Sequence, residues 1–346
     1  MFVAKEILII RLSSIGDVIH CTPVASSLKS AWPDCKITWL VGEVSADLIK
    51  NNPSIDEIII WSRERFEKSF RDFKFKEALG MWRDLQNKVH GKQYYAVLDI
   101  HGLFLTGMIA RLINTQRRIG MTGTKELNSL FMTQTCKPLG RHITDKYLGV
   151  LTGLGIQSVD HKMNLVIAED AKKFAERFLK DHAILPQEKV LVLVLGTTWP
   201  TKNWPVASFI EAVKLLHKDF RIILCGGKAE LELGREVEMR AGVPVINAVG
   251  LTNLLEMAGI IELASVVVAG DTGPLHMAGA LEVPTVGMFG PTDPATYVPF
   301  GEQHAMLSSA LECSYCHKQR CPQGEEKCMR SITPAAVVQK VYAVAR

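Results

Sequence analysis

The fold is decided by the stretch V-V-A-G-D-T-G-P-L-H-M-A-G-A-L at residues 267–281. Its first residues are β-branched or small and lack polar alternation, which is typical of a strand buried on both faces in a parallel sheet covered by helices. The turn Asp271-Thr272-Gly273 follows, and a segment rich in small residues continues as a helix. A buried strand, a tight turn and a helix together form the repeating unit of an α/β protein.

The same alternation extends along the chain on both sides of this stretch. Helical patterns such as that of residues 22–32 lie between further apolar runs. These runs occupy residues 7–12, 58–61, 95–100, 189–196, 220–227 and 285–290. The sequence therefore predicts an α/β fold with two Rossmann-like, doubly wound domains facing each other across a cleft. Ligands are expected at the carboxyl ends of the strands.

The length of 346 residues also favours two domains, because it is long for a single hydrophobic core. A helix is predicted at residues 170–182, where Ala171, Phe174, Ala175 and Phe178 recur at helical spacing. We place the boundary after this helix, which gives domains 1–185 and 186–346. Residues 333–346 form a last predicted helix, with Pro334 in its first turn, and we expect it to pack across the domains.

Composition and charge exclude several classes of protein. Apolar residues make up 47% of the chain and charged residues 22%, which is ordinary for a globular protein. The net charge of +4 suits anionic substrates or membrane surfaces but does not indicate nucleic acid. We see no signal peptide and no apolar run of the roughly 18 residues that a spanning helix needs. The expected location is therefore the cytoplasm.

The first candidate turn is R-L-S-S-I-G-D-V at residues 11–18. Gly16 permits a tight backbone path there, and Asp17 lies where a helix begins. The turn is not the G-x-G-x-x-G dinucleotide fingerprint. Asp17 is either an ordinary helix N-cap or a general base. The second role has a physical tension, since a helix N-terminus stabilises a carboxylate and so weakens it as a base.

The turn at residues 271–273 is suited to a pyrophosphate. Free amides of Thr272 and Gly273 would point at the ligand, with the positive end of the helix behind them. Asp271 would cap the helix, which is compatible with that role. His276, one helical turn further, is either a core histidine or a phosphate ligand.

Two loops of the second half add further donor-site candidates. The loop G-T-T-W-P-T-K-N-W-P at residues 196–205 contains Thr197, Thr198 and a single cation, Lys202, which can neutralise the charge of a departing diphosphate. In C-G-G-K-A-E-L-E at residues 225–232, the glycines leave room for a nucleotide. Glu230 or Glu232 would take ribose hydroxyls, unless both are exposed glutamates at the start of a helix.

Together these pieces resemble glycosyltransferase family 9, the ADP-heptose:lipopolysaccharide heptosyltransferases. The ordered set that carries the resemblance is S-S-I-G-D-V, D-I-H-G-L, R-R-I-G, T-K-N-W-P, G-G-x-x-E, D-T-G-P-L-H-M and G-P-T-D-P. The resemblance implies a GT-B architecture whose N-terminal domain binds the acceptor and whose C-terminal domain binds the donor. It implies an inverting, metal-independent transfer of heptose from ADP-L-glycero-D-manno-heptose. The acceptor would be a lipopolysaccharide inner core, either Kdo-lipid A or heptosyl-Kdo-lipid A.

The resemblance also implies roles for individual residues. Asp17 matches the catalytic base and Lys202 the lysine that binds the diphosphate. Asp271, Thr272 and Gly273 match the donor phosphate turn, and Glu230 matches a glutamate that contacts the nucleotide. The acceptor candidates are Ser14, Gly16, His101, Arg117 and Arg118. The chain departs from the family at Leu105 and Thr106, where many relatives carry a cation, and Arg111, Arg117 or Arg118 would have to replace it.

Four cysteines are concentrated near the C-terminus with C-x2-C-x4-C-x6-C spacing: Cys313, Cys316, Cys321 and Cys328. Four thiolates this close in sequence can form a tetrahedral, structural zinc site. Free thiols are the alternative, and disulfides fit a reducing compartment less well. No catalytic role is assigned to this cluster.

Three other functions compete with heptosyl transfer. One is a GT-B transferase for a different nucleotide-sugar, and another is a sugar epimerase. The third is a catalytically inactive protein that binds nucleotide-sugars. Separately, basic and aromatic residues in W-S-R-E-R-F-E-K-S-F-R-D-F-K-F-K at 61–76 indicate either a peripheral contact with the inner membrane or a solvated helix face.

Overall fold

The structure is a computed structural model that describes residues 5–124 and 126–345. Its internal contacts divide the chain into two units, Met1–Val166 and Ile167–Arg346. Each unit is built around one six-stranded sheet. The predicted α/β class with two doubly wound sheets is confirmed.

The first unit has a parallel sheet with the order β3-β2-β1-β4-β5-β6. Its strands are β1 (Glu6–Ile10), β2 (Lys36–Val41), β3 (Glu57–Ile60), β4 (Ala96–Asp99), β5 (Arg118–Met121) and β6 (Gln134–Cys136). Its helices are α1 (Ile15–Ala31), α2 (Ala46–Ile49), α3 (Arg63–Arg71), α4 (Phe75–Val89), α5 (Phe104–Leu112) and α6 (Ile143–Leu148). The central strands are buried along almost their whole length because helices cover both faces of the sheet.

The second unit repeats this arrangement, with the order β12-β11-β10-β7-β8-β9. Its strands are β7 (Val190–Val194), β8 (Arg221–Cys225), β9 (Ile246–Asn247), β10 (Val266–Gly270), β11 (Thr285–Phe289) and β12 (His304–Ser308). Its helices are α7 (Glu169–Asp181), α8 (Val206–Leu216), α9 (Leu231–Ala241), α10 (Leu254–Glu262), α11 (Gly273–Ala280), α12 (Pro294–Tyr297), α13 (Lys327–Arg330) and α14 (Pro334–Val344). Short 3-10 turns at Pro200–Lys202 and Lys228–Glu230 follow β7 and β8.

Both sheets reverse their direction of winding at one place. In the first unit the chain winds outward in one direction from β1 and in the other from β4, and these two strands are neighbours. In the second unit the corresponding neighbours are β7 and β10. Loops leave such a pair of strands in opposite directions, which opens a crevice at the carboxyl ends of the strands. The loops after β1, β4, β7 and β10 are therefore where ligands are expected.

The chain passes from the first unit to the second between residues 166 and 167, whereas the sequence predicted the boundary between residues 185 and 186. The difference lies in α7, which packs on α10 of the second unit. The contact is close, since a Cβ at Gly259 would lie 2.7 Å from the carbonyl oxygen of Ala171 and 3.1 Å from Cβ of Ala175. The small apolar residues that predicted a helix at 170–182 therefore join it to the second unit.

The last helix, α14, begins at the predicted place. Thr333 is its N-cap, with its hydroxyl accepting from the amide of Ala336, and Pro334 is in the first turn. The buried residues Val337 and Val341 face the second unit's own core, where α14 contacts α8, β11 and β12. None of the helices among the described residues is both long enough and apolar enough to cross a bilayer.

Candidate functional site

Asp17 lies at the carboxyl end of β1, in the first turn of α1. Its Oδ2 atom is 2.6 Å from Nη2 of Arg11 and accepts a hydrogen bond of 2.8 Å from the hydroxyl of Ser14. Its Oδ1 atom accepts a hydrogen bond of 2.5 Å from the hydroxyl of Tyr147. Asp17 is not the N-cap of α1, because Ser14 holds that position and donates its own amide to Asp17 at 3.3 Å.

The charge state of Asp17 is set by these partners. Burial by itself would raise the pKa of Asp17, but the Arg11 guanidinium and the hydrogen bonds from Tyr147 and Ser14 hold it well below its usual range. Burial also raises the pKa of Tyr147, so this hydroxyl keeps its proton and remains a donor. With 26% of the Asp17 side chain exposed, the result is an ionised, oriented carboxylate that solvent can still reach.

The loop after β4 is fixed by a second, fully buried carboxylate, Asp99. Its Oδ1 atom accepts from the amides of His101 and Gly102 at 3.1 Å, and Oδ2 accepts from Nδ2 of Asn128 at 2.7 Å. Burial raises the pKa of Asp99. Asp99 belongs to the D-I-H-G-L motif but is not among the site residues predicted from the sequence. It shapes the loop that presents His101.

His101 lies beside the Asp17 group. Its Nδ1 atom accepts from the amide of Leu12 at 3.1 Å, and its Nε2 atom is 3.1 Å from Nη1 of Arg63. Burial and the charges of Arg11 and Arg63 lower the pKa of His101 to about 3, so the imidazole is neutral near pH 7. Sequence reasoning missed Arg63, which lies 38 residues before His101.

Arg117 and Arg118 lie at the other edge of this sheet. Arg118 is the first residue of β5, and Arg117 precedes it, so both lie at the amino ends of parallel strands. Arg117 donates to the hydroxyl of Tyr95 at 2.5 Å, and Arg118 donates from Nε to the carbonyl of Phe131 at 2.9 Å. The structure therefore brings Ser14, Gly16, Asp17 and His101 to one edge but places the two arginines away from them.

In the second unit, Lys202 and His276 hold the two oxygens of Asp271. Nζ of Lys202 is 2.7 Å from Oδ2 of Asp271 and 3.3 Å from its carbonyl oxygen. Nε2 of His276 is 3.2 Å from Oδ1. The Asp271 and His276 side chains are each 5% exposed, and that of Lys202 is 14% exposed. These residues follow β7 and β10, so the group lies at the second unit's reversal of winding.

Asp271 is ionised in this setting. Burial would raise the pKa of Asp271, but the hydrogen bond and charge of His276 and the charge of Lys202 hold it well below its usual range. Lys202 also lies over the ring of Trp199, with Nζ 4.4 Å from the ring centroid. The lysine is thus held in place before any ligand arrives, in a position where it can receive a second anion.

The turn after β10 continues into α11. Thr272 is the N-cap and Gly273 the first helical residue, so their amides lie at the positive end of the helix, as predicted. The lysine loop approaches closely, since a Cβ at Gly270 would lie 3.2 Å from the Lys202 carbonyl oxygen and 3.2 Å from Cγ2 of Thr197. Thr198, in the same loop, is exposed.

Glu230 lies at the same edge of the second sheet, across the ends of β7 and β8. Its Oε2 atom accepts from the amide of Gly227 at 2.9 Å. A Cβ at Gly196 would lie 2.4 Å from Cγ of Glu230, so the side chain crosses directly over the end of β7. Glu232 instead pairs with Arg235 at 2.8 Å and is 85% exposed. The structure therefore favours Glu230 over Glu232 as a candidate for contact with a nucleotide.

None of the eight cysteines forms a disulfide, and they fall into two groups. The first group is buried: Cys21, Cys35, Cys136 and Cys225. The four C-terminal cysteines are partly exposed and line one small cavity of about 20 Å³. As they stand in the described residues, no three His, Cys, Asp or Glu side chains are arranged to hold a metal ion.

Comparisons with known proteins identify a family and a fold. Residues 82–327, which include Lys202 and Asp271, match the model of glycosyltransferase family 9 (heptosyltransferase). The chain is 27% identical over 324 residues to lipopolysaccharide heptosyltransferase 1 of Pseudomonas aeruginosa, covering 91% of this chain and 87% of that protein. It is 25% identical over 276 residues to lipopolysaccharide core heptosyltransferase OpsX of Haemophilus influenzae, covering 78% and 74%.

The fold is also found in a solved structure. The structure of E. coli heptosyltransferase WaaC with ADP has a TM-score of 0.77 and 24% sequence identity to this chain, covering 99% of this chain and 100% of that one. This likeness shows the fold, and it is the GT-B fold that the sequence predicted.

The Lys202–Asp271 pair leads to a prediction about stability. Replacing Asp271 by Asn leaves the lysine without its carboxylate in a buried place, which should lower the free energy of unfolding by about 3 kcal/mol near pH 7. The native pKa of Asp271 lies below that of the unfolded chain, about 3.9. The stabilisation that Asp271 contributes is therefore complete above about pH 5. It is lost as the pH falls from there toward the native pKa. Urea unfolding at pH 7, 4 and 3 measures the shrinking difference between the two proteins.

Glu232→Gln is the matched control, since it neutralises an exposed carboxylate of the same unit and should change stability by less than about 0.5 kcal/mol at every pH. A loss for Asp271→Asn that is equally small, or that does not depend on pH, would contradict the described ion pair.

Proposed function

Because this chain belongs to glycosyltransferase family 9, we propose that it is an inverting transferase of heptose from ADP-L-glycero-D-manno-heptose to a lipopolysaccharide inner-core acceptor. The chain is a glycosyltransferase, and heptosyl transfer in lipopolysaccharide core biosynthesis is the activity of its relatives. The proposal adds the donor, the stereochemistry and the acceptor, which is Kdo-lipid A or heptosyl-Kdo-lipid A. Transfer without a catalytic metal is part of the same proposal.

One observation supports the chemistry most strongly: the ionised, oriented and partly exposed carboxylate of Asp17 at the end of β1. Among the contacts of the described residues, Oδ1 receives one hydrogen bond, from Tyr147, whereas Oδ2 is engaged by Arg11 and Ser14. A carboxylate oxygen has two lone pairs. Oδ1 therefore retains the capacity to accept a hydrogen bond from an acceptor hydroxyl.

In the proposed reaction, Asp17 accepts the proton of the acceptor hydroxyl as that oxygen forms its bond to the anomeric carbon. The bond between this carbon and the diphosphate oxygen breaks, and ADP leaves from the opposite face. The low pKa of Asp17 makes it a weak base, so the proton moves late, when the attacking oxygen has become acidic. The same low pKa keeps Asp17 ionised near neutral pH.

The donor is assigned to the second unit. Lys202 would neutralise the diphosphate as its charge grows, and the amides of Thr272 and Gly273 would donate to its oxygens. Asp271 and His276 position the lysine and complete the polar group at this turn. Glu230, fixed by the Gly227 amide, would accept hydrogen bonds from ribose hydroxyls. Thr197 and Thr198 lie in the loop that carries Lys202 and are the remaining donor-site candidates.

The acceptor is assigned to the first unit, around Ser14, Gly16 and His101. The family resemblance leads us to expect a cation a few residues after the D-I-H-G-L motif, where this chain has Leu105 and Thr106. Arg63 supplies a cation beside His101 instead, within 3.1 Å of its ring. We assign Arg63, rather than Arg117 or Arg118, to an acidic group of the acceptor, because those two lie at the opposite edge of the sheet.

A contact with the membrane is proposed for the turn between α3 and α4. Phe70, Phe73 and Phe75 form a cluster, the aromatic tip, in which the Phe75 ring centroid lies 5.8 Å from that of Phe70 and 6.1 Å from that of Phe73. These three residues are 49%, 80% and 56% exposed, in that order. Among residues 68–76, Asp72 is the one carboxylate. The same stretch contains four exposed cations: Lys68, Arg71, Lys74 and Lys76. Rings for the lipid interface and cations for anionic headgroups suit peripheral binding at the inner face of the inner membrane.

The activity is tested by ADP release from ADP-heptose, with and without a deacylated core acceptor. We expect acceptor-dependent release by the wild type, and a rate about 10²- to 10⁴-fold lower for Asp17→Asn because the variant cannot accept a proton. Arg117→Gln, at the far edge of the same sheet, should keep the wild-type rate. The wild-type rate should show no loss on the acid side down to about pH 5.5, since Asp17 stays ionised there.

Two outcomes would overturn this assignment. If the wild type binds ADP but releases none with any core acceptor, the donor is another nucleotide-sugar or the protein only binds. If Asp17→Asn retains acceptor-dependent release, Asp17 is not the base.

The aromatic tip is tested by cosedimentation with vesicles of phosphatidylethanolamine and phosphatidylglycerol. Phe73→Asn should reduce binding, because it removes the most exposed ring. Asn is chosen since Phe73 has a φ of 57°, which Asn tolerates. Met239→Asn, which removes a 75% exposed apolar side chain in the second unit, is the control. Equal binding by wild type and Phe73→Asn would contradict the proposed contact.

A further inference from the structure

The segment between β12 and α14 brings the four C-terminal cysteines to one place. Cys313, Cys316, Cys321 and Cys328 all line the cavity of about 20 Å³, although residues 314–327 separate the first of them from the last in the chain. A space of this size holds about one water-sized atom. Thr201 and Pro291 also contribute to its wall.

Two turns present the sulfurs. Cys313 lies in a turn that is closed by a hydrogen bond from the amide of Ser314 to the carbonyl of Leu311, and Cys316 follows Tyr315, which has a φ of 62°. At the second turn, the amide of Gly324 donates to the carbonyl of Cys321 at 3.2 Å. A thiolate is the form of cysteine that binds metal.

We propose that these four cysteines bind one Zn²⁺ ion as a tetrahedral, four-thiolate structural site. The protein would supply all four ligands, and binding would release the thiol protons to water. In the described residues the side chains line the cavity without forming a closed set of ligands. Each cysteine has one side-chain torsion, and the proposal requires that rotation about it turn the four sulfurs toward the shared cavity.

The contacts of this segment give the metal a positioning role. The amide of Tyr315 donates to the carbonyl of Gly290 at 3.2 Å, and the amide of His317 donates to that of Pro291 at 2.8 Å. The hydroxyl of Thr201 donates to the carbonyl of Lys318 at 2.8 Å. Thr201 is buried and directly precedes Lys202. A metal that fixes residues 313–318 would therefore also hold the loop that carries the candidate diphosphate lysine.

The metal site itself does not depend on the proposed function, whereas its effect on ADP binding rests on Lys202 serving the donor. Metal content and ligand affinity are therefore measured separately. If the chain contains no zinc, the proposed metal site is overturned. If zinc is present but does not affect ADP affinity, the link between the metal site and the lysine loop is overturned.

The first experiment measures zinc and iron by mass spectrometry in the full chain, purified under reducing conditions without chelator. We expect one zinc per chain, and less than about a tenth of that in the double variant Cys313→Ser, Cys316→Ser. Cys136→Ser, which alters a buried cysteine of the first unit, should keep its zinc. A metal-free wild type with four reactive thiols, or with disulfides, would overturn the site, and one iron per chain would overturn the choice of zinc.

The second experiment follows ADP binding by calorimetry. Removing zinc with a mercurial reagent and a chelator should weaken ADP binding by about tenfold, typical of groups that orient a site's ligands, and added zinc should restore it. Thr201→Val should retain zinc yet weaken ADP binding, because the link from residue 318 to the lysine loop is cut. Unchanged ADP affinity in both the zinc-free protein and Thr201→Val would overturn the positioning role.

Discussion

Each of the two sheets has one pair of neighbouring strands from which the chain winds in opposite directions, and the candidate chemistry depends on this constraint. Between β1 and β4, and again between β7 and β10, the loops diverge and leave polar groups accessible at the carboxyl ends of buried strands. Asp17 and His101 follow the first pair, and Lys202 and Asp271 follow the second. The long apolar strands supply the rigid support that these short loops need.

Both candidate sites hold a carboxylate against a cation, but with different consequences. Asp271 is enclosed by Lys202 and His276 and is almost fully buried, so it serves to hold the lysine. Asp17 is paired with Arg11 yet remains partly exposed, and Tyr147 leaves one of its oxygens able to accept another hydrogen bond. In the proposed mechanism, exposure therefore distinguishes the carboxylate that positions a lysine from the one that receives a proton.

Local pattern was sufficient to predict the strands and the turns that follow them. It made Asp17, Lys202 and Asp271 candidates, and their roles stay predictions. Pattern could not reveal contacts between distant elements. Arg63 contacts His101, which lies 38 residues further along the chain. Helix α7 joins the second unit through small residues, and periodicity could not specify that their partner lies on α10. Arg117 and Arg118 were candidates because they are cations, but strand direction, known only once β5 is placed, puts them at the edge opposite Asp17 and His101.

The division of labour between the two units is the central claim, and a titration of ADP into two variants tests it most directly. We predict that Lys202→Met weakens ADP binding by about tenfold or more, as expected when a charged hydrogen bond to phosphate is lost. Asp17→Asn should bind ADP as the wild type does. Equal weakening in both variants, or weakening in Asp17→Asn alone, would contradict the assignment of the donor to the second unit.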